Sequence, residues 1–118
     1  MRKAAKLDLQ QSEFDYNLGL FAGGDEALAA FRRAVAGRPN FALAWFHLGE
    51  AQSGDAAIAA YRRTLEIDPR FTRAYIALAR ALTAEGKREE ALRYLRHGAK
   101  VAAKPEEVQE ALAAVPSP

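Results

Sequence analysis

The chain has 118 residues, 27% of them charged, and a net charge of only +2 at pH 7, a balance that suits one globular domain and gives no special reason to expect nucleic acid as a partner. It contains no cysteine, which excludes disulfides and thiolate metal sites. No segment approaches the run of about 18 apolar residues that a membrane span needs, and the charged N-terminal segment lacks the apolar core of a signal peptide. We therefore expect a cytoplasmic protein, and its many alanines and leucines favour helix over strand.

The first half of the chain contains two copies of one pattern. Residues 18–33 read LGLFAGGDEALAAFRR, and residues 48–63 read LGEAQSGDAAIAAYRR. The prolines that follow the two copies, Pro39 and Pro69, have the same spacing (69 − 39 = 30). Because the copies align without a gap, they predict an internal structural repeat. Residues 3–11 precede the first copy and are predicted to extend its first helix.

Each copy divides into two helices. In the second copy the first helix is predicted over residues 42–52, and the second follows a turn at Gly54 with Asp55 as its N-cap. This second helix is expected to end before Pro69, since the residue preceding a proline disfavours the helical region. The first copy follows the same plan with Asp25 as N-cap. The apolar positions of the second helix recur at helical spacing and are Ala57, Ile58, Tyr61 and Leu65.

A third copy and a last helix complete the chain. Residues 45–49 align with residues 75–79 at the same spacing, whereas Ala57 aligns with Ala91 (91 − 57 = 34), so the third copy is four residues longer between its helices. Residues 105–115 are predicted as a seventh helix, with proline at its first position and acidic residues in its first turn. Its polar outer side is typical of the cap that ends a stacked array.

The positions that characterise these copies are similar to those of a known repeat. In the third copy they are Tyr75, Leu78, Ala79, Leu82, Gly86, Ala91, Leu95 and Gly98. The pattern resembles the tetratricopeptide repeat and covers about residues 12–115. The resemblance implies an all-α fold, a right-handed superhelical α-solenoid of three helix-turn-helix repeats plus a C-terminal capping helix. The expected boundaries within one domain of residues 1–118 are about 11–40, 41–70 and 71–104 for the repeats and about 105–115 for the cap.

The first two copies depart from the family in length. The family's unit has about 34 residues, whereas these copies recur after 30 (69 − 39 = 30). We expect the missing residues to be shared as about half a turn from each helix of the hairpin. Trp45 and Tyr61 are expected to be largely buried between the two helices of the second copy. Gly49 is small enough to allow those helices a close approach.

The first helix of each copy also carries a second face at i, i+3, i+7 spacing. In proteins that the chain resembles, this face lines a concave groove that receives a partner peptide. Tyr16, Phe46 and Ile76 are predicted as apolar anchors there, although Phe46 and Ile76 could instead fill the interface between neighbouring units. Arg73 and Arg80 would add positive charge at one end. The predicted partner-binding residues are Tyr16, Asn17, Leu20, Leu43, Phe46, His47, Glu50, Arg73, Ile76 and Arg80.

The resemblance implies an adaptor or scaffold that binds a partner protein and is not an enzyme. The expected partner is a peptide or helix with apolar and acidic residues. The family's carboxylate clamp for acidic C-terminal tails, built from Lys, Asn and Arg, is not expected, because among the relevant positions only Arg73 is of the right type. The main alternative is self-association, in which another copy covers the groove or the open end of the solenoid.

Other classes of function have weaker support. Arg32-Arg33 and Arg62-Arg63 form a recurring basic stripe on the convex side, and nucleic-acid binding through it is the least favoured alternative, because the stripe lacks interleaved aromatic residues. His47 and His97 lie in different copies without a second ligand at i+4, so no metal is expected. No cofactor motif and no catalytic constellation is present in the sequence.

Overall fold

The computed structural model of the protein describes the backbone of residues 2–115 and the side chains of residues 9–115. This part of the chain forms seven helices and no strand, which confirms the predicted all-α class. No helix found in it is long and apolar enough to cross a membrane. The helices are α1 (Arg2–Phe21), α2 (Gly24–Gly37), α3 (Ala42–Glu50), α4 (Gly54–Ile67), α5 (Thr72–Ala84), α6 (Arg88–Val101) and α7 (Pro105–Ala113).

The helices pack as successive pairs. α1 packs on α2, α3 on α4 and α5 on α6, and the pairs are joined through the α2–α3 and α4–α5 contacts. α7 packs on both α5 and α6. The molecule measures 52 × 28 × 20 Å, the elongated shape expected when each unit touches mainly its neighbours.

α7 caps the array as predicted. Val108 is fully buried beneath it, whereas Gln109 and Glu110 on its other side are exposed. At the opposite end of the chain, α1 begins at Arg2. The start of α3, Ala42, aligns with position 12 of the first copy (42 − 30 = 12), so α1 begins ten residues earlier than its equivalent (12 − 2 = 10). The predicted helical extension over residues 3–11 is therefore confirmed for the backbone.

The missing residues of the shorter copies come from one helix only. α3 has 9 residues where α5 has 13, whereas α4 and α6 both have 14. The prediction that each helix loses half a turn is therefore wrong, because the whole turn is lost from the end of the first helix. Burial explains why the first helix is the shorter one. The last turn of α5 ends in the exposed residues Thr83 and Ala84, which contribute little buried surface. In contrast, α4 is buried on one face from Ala57 to Leu65.

The N-caps also differ from the prediction. α2 and α4 begin at Gly24 and Gly54, whose φ angles of +55° and +60° lie in the left-handed region that favours glycine. Asp25 and Asp55 are therefore not the N-caps. They lie in the first turn instead, where a carboxylate interacts favourably with the positive end of the helix dipole.

Close approach within each helix pair depends on a glycine facing an aromatic ring. A Cβ added to Gly49 would lie 2.6 Å from Cε1 of Tyr61, and one added to Gly19 would lie 2.5 Å from Cε1 of Phe31. Tyr61 is only 7% exposed. The predicted burial of Tyr61 and the predicted role of Gly49 are both confirmed.

The predicted burial of Trp45 is confirmed only in part. The Trp45 ring is half-buried at the edge of the cluster around Phe31 and Leu48, and its Nε1 donates a hydrogen bond of 2.8 Å to the carbonyl of Pro39. Tyr75 stands at the equivalent position of the next unit, and its hydroxyl donates a 2.6 Å bond to the carbonyl of Pro69. Both bonds tie a first helix to the end of the preceding unit. The polar edge of the ring therefore stays close to the surface backbone.

Candidate partner-binding groove

The predicted groove face contains exposed, half-buried and buried residues. The half-buried ones are Tyr16, His47 and Ile76, and Phe46 is buried. The exposed ones are Asn17, Leu20, Leu43, Glu50, Arg73 and Arg80. The exposed residues are thus mostly polar or charged, with two leucines among them.

The first helices of the three pairs share this surface, since Tyr16 of α1 contacts His47 of α3 and Arg73 of α5 lies over the neighbouring Phe46 of α3. Burial raises the pKa of the Tyr16 hydroxyl on α1, the Arg73 guanidinium on α5 opposes that rise, and the Glu50 carboxylate on α3 adds to it. The Tyr16 and His47 rings lie 5.7 Å apart, and His47 Nδ1 is 2.9 Å from Glu50 Oε1. The first helices of all three pairs therefore contribute to one continuous face.

Phe46 is packed inside the protein rather than displayed on that face. Its ring is 2% exposed and lies 5.0 Å from the ring of Phe71 and 5.8 Å from that of Tyr61, measured between centroids. The guanidinium carbon of Arg73 lies 4.6 Å from the Phe46 centroid, a cation–π distance. Phe46 therefore follows the alternative in which it fills an interface, and its prediction as an accessible anchor is corrected.

A residue at the start of each following unit covers the apolar position of the unit before. Phe41 is the N-cap of α3, and its ring lies 4.9 Å from that of Tyr16. Phe71 is the N-cap of α5 and covers Phe46 in the same way. The N-cap of α7 is Lys104, which brings no aromatic ring. Ile76, the third residue of the apolar row, is therefore left partly open.

The space beside Ile76 forms an apolar pocket of about 420 Å³ between α5 and α7. The hydroxyl of Thr83 donates a 2.8 Å hydrogen bond to the carbonyl of Ala79 within α5, which satisfies the one hydroxyl in the wall. Arg80 stands at the rim. The apolar wall consists of Ile76, Ala79, Ala84, Leu95, Ala111 and Val115.

Arg80 also borders a second depression, of about 440 Å³, on the other side of α5. Its lining includes Glu50 at the end of α3 and Glu85 beyond the end of α5. The depression opens where α3 stops one turn earlier than α5. The loss of that turn therefore exposes both sides of Arg80.

Arg73 and Arg80 differ from three arginines of the convex stripe, Arg33, Arg62 and Arg63, which form ion pairs. Arg33 forms an ion pair with Asp15 at 3.2 Å, and Arg62 forms one with Glu90. Within the described residues, no carboxylate forms an ion pair with either Arg73 or Arg80. The charges of Arg73 and Arg80 are thus left for a partner, as is that of Arg32, which likewise forms no ion pair with a described carboxylate.

Other parts of the surface have less to offer a ligand. A depression of about 520 Å³ lies beside Trp45 and Ala59, but Arg63 at its rim already pairs with Glu66 at 3.2 Å. In the described range of the chain, no group of three or more His, Asp and Glu side chains is arranged to hold a metal ion.

Comparison with known proteins identifies the family. The sequence profile of the tetratricopeptide repeat family matches residues 50–115, which is more than half of the chain. The chain belongs to the tetratricopeptide repeat family. Members of this family are generally non-enzymatic scaffolds, and the tetratricopeptide fold supports a protein–protein interaction module in general.

Solved structures of other tetratricopeptide repeat proteins share the fold. Two crystal structures of MamA superpose with TM-scores of 0.73 and 0.68, each at 31% identity over 93% and 92% of this chain. The match spans 63% and 64% of the two MamA chains, so this chain covers less than two thirds of their length. The TPR2B domain of yeast Sti1, solved as a complex with pHsp70, superposes with a TM-score of 0.67 over 94% of both chains. Its identity is 21%, which shows the fold alone. No curated protein sequence matches the chain.

Proposed function

We propose that this tetratricopeptide repeat protein is an adaptor that binds a segment of a partner protein along the face formed by α1, α3 and α5. The observation that carries the proposal is the position of Arg80, between an apolar pocket and a second depression and without a carboxylate partner among the described residues. A partner segment that places an apolar side chain beside a carboxylate would satisfy both features.

The apolar pocket is the proposed binding site for the partner side chain that contributes most to affinity. A volume of about 420 Å³ lies within the range of small-ligand pockets, about 300–1,000 Å³, and easily admits one large apolar side chain. Residues that fill such pockets usually carry most of the binding energy of an interface. Because ordering a peptide offsets much of this gain, the affinity should be on the order of micromolar.

Arg73 and Arg80 are proposed to set the orientation of the bound partner segment. Arg73 is held over the Phe46 ring, so its guanidinium is partly pre-oriented toward the surface. A guanidinium binds a carboxylate through two parallel hydrogen bonds, which fixes direction as well as adding energy. Exposed charges of this kind mainly set orientation and association rate.

The mode of binding differs from a clamp for acidic C-terminal tails. The Sti1 domain was solved with pHsp70, but this chain shares only the fold with it. The clamp of the family uses Lys, Asn and Arg side chains, whereas here Tyr16, His47 and Ala77 occupy the relevant positions beside Arg73. We therefore propose an internal segment with mixed apolar and acidic residues as the partner.

A peptide-display selection against the wild-type protein tests the proposal. The expected peptides combine a large apolar residue with an acidic residue nearby. Changing Arg73 and Arg80 together to Ala should weaken the selected peptides at least about tenfold and flatten the salt dependence of binding, because screened charge pairs are lost. Placing a carboxylate at the mouth of the pocket with Ala114→Glu, at an exposed position, should weaken binding too.

A matched control separates local charge from net charge. Changing Arg32 and Arg96 to Ala removes the same two charges from exposed positions outside the groove and should leave affinity unchanged. Circular dichroism should show that all variants remain folded, with a slightly lower melting temperature for the Arg73/Arg80 double variant, which loses the contact with the Phe46 ring. Equal affinity of the Arg73/Arg80 double variant and the wild type at low salt would refute the role of the basic end of the groove.

A further inference from the structure

Large exposed apolar side chains are concentrated on α1. Of the six in the described residues, five lie on this helix and the sixth is Leu43 on α3. Three of the five follow i, i+4, i+7 spacing and therefore form one stripe. We call this stripe the α1 end face; its members are Phe14, Leu18 and Phe21, exposed by 61%, 39% and 93%.

The positions of the later units that are equivalent to Phe14 and Leu18 are buried. Phe14 corresponds to Ala44 and Ala74, both 0% exposed, and Leu18 corresponds to Leu48 and Leu78, exposed by 5% and 0%. In α3 and α5 this side packs on the preceding helix, α2 or α4. The α1 end face therefore lies where the stacking of the solenoid would continue.

The residue types on this face do not suit another helix of the same repeat. The later units have alanine where α1 has phenylalanine: Ala44 and Ala74 match Phe14, and Ala51 and Ala81, which are exposed and half-buried, match Phe21. Alanine lets the preceding helix come close, whereas two phenyl rings would hold it away. Exposed aromatic rings are instead typical of surfaces that bind another molecule.

Among the residues whose side chains the structure describes, amide side chains flank the face. Gln10 and Asn17 flank the stripe on one side and Gln11 on the other, and all three are exposed. Amide side chains donate and accept hydrogen bonds, so they can pair with identical amides. A surface with an apolar centre and an amide rim can therefore pair with a second copy of itself.

The opposite end of the molecule is not complementary to this face. α7 presents Gln109 and Glu110 outward, and Glu106 is exposed in its first turn. Stacking copies head to tail would place these carboxylates against the phenyl rings and bury unpaired charge, which is costly. A contact between two identical faces avoids this cost and closes as a two-fold dimer.

We propose that two copies of this chain associate head to head through the α1 end face. At roughly 200 Å² for a fully buried aromatic side chain, the exposed parts of Phe14 and Phe21 provide on the order of 300 Å² per copy. With Leu18 and the amide rim, the total buried area approaches the lower bound of about 1,000 Å² for a specific interface. The dimer is therefore weak, with a dissociation constant on the order of tens of micromolar, and it leaves the α5–α7 pocket of each copy open. This inference does not depend on the proposed function.

Sedimentation velocity over about 1–500 µM protein tests the association. The wild type should change from monomer to dimer over this range. Phe21→Glu should remain monomeric throughout, because two carboxylates would face each other, and it should melt like the wild type since Phe21 makes little contact within its own chain. Leu43→Glu, at an exposed leucine outside the face, should dimerise like the wild type. A monomeric wild type at all concentrations, or a dimer that Phe21→Glu leaves intact, would overturn the proposal.

Crosslinking tests the orientation, since the chain has no cysteine of its own. Asn17 flanks the middle of the end face, and Glu110 lies on the outer side of α7. With a short bis-maleimide, Asn17→Cys should form a covalent dimer with itself, and no such dimer should form when the reaction is carried out in urea. A mixed product between Asn17→Cys and Glu110→Cys chains would show head-to-tail stacking and would overturn the head-to-head arrangement.

Discussion

Replacing Gly49 with alanine distinguishes helix propensity from packing, because the two effects have opposite signs. Alanine is the stronger helix former, by about 1 kcal/mol in a helix interior. Gly49 lies in α3, so propensity alone predicts that Gly49→Ala stabilises the protein. The structure predicts the opposite, since the new Cβ meets the Tyr61 ring.

The size of the effect follows from the geometry. The added Cβ would lie 2.6 Å from Cε1 of Tyr61, about 1 Å closer than the optimal carbon–carbon contact of about 3.5–4.0 Å. The ring has little room to move, because it is 7% exposed and packs against Phe46. Overpacking of this kind costs about 1–3 kcal/mol. After subtraction of the propensity gain of about 1 kcal/mol, Gly49→Ala should lower the free energy of unfolding by up to about 2 kcal/mol.

Urea unfolding of a double-mutant cycle measures this effect. Tyr61→Leu removes the ring that the new methyl group would meet, so Gly49→Ala should cost much less in that background and could become favourable. The coupling free energy between the two positions should be at least about 1 kcal/mol. If Gly49→Ala raises the stability of the wild type, or if its cost is the same with and without the Tyr61 ring, the close approach of α3 and α4 is not what requires glycine.

Two further predictions concern the second unit. Trp45→Phe keeps an aromatic ring but removes the hydrogen bond to the Pro39 carbonyl, so it should cost about 0.5–1.5 kcal/mol in urea unfolding; a loss above about 3 kcal/mol would show that the ring belongs to the core after all. Burial, and secondarily Glu50, raises the pKa of Tyr61 above its usual value near 10. The contribution of the neutral Tyr61 hydroxyl to stability is therefore fully present below about pH 10 and is lost as the pH rises through the folded-state pKa. Tyr61→Phe should therefore lose less stability than the wild type between about pH 9 and pH 11, and identical losses would contradict burial of the hydroxyl.

Much of the fold could be predicted because prolines and acidic residues mark the ends of several helices in the sequence. The spacing of Pro39 and Pro69 placed the ends of α2 and α4, and the acidic first turn after Pro105 placed α7. The division of the missing residues could not be predicted in the same way. A gap between aligned copies locates the hinge but does not show which adjoining helix is shorter; burial along the two helices decides it.

The candidate site was less predictable than the fold. Helical spacing identified the face that carries Phe46 but could not show that Phe71, from the start of the next unit, covers it. A signal was nevertheless present, since Phe41 and Phe71 recur at the repeat spacing, each directly before a first helix. The spacing correctly placed Ile76 on the same face as Phe46. Only the contacts in the structure show that Phe46 is covered and that Ile76 is partly open.

Three departures from strict repetition meet at the same place and explain why the proposed recognition site lies in the third unit. α5 keeps the turn that α3 lacks, which extends its wall beyond the end of its neighbour. The N-cap of α7 is Lys104 rather than phenylalanine, which leaves Ile76 without an aromatic cover. At the position where the earlier units have Leu20 and Glu50, this unit has Arg80. A perfectly regular array would present the same surface in every unit, so selectivity for a particular partner requires such differences, and here they combine an open apolar pocket with a cation at its rim.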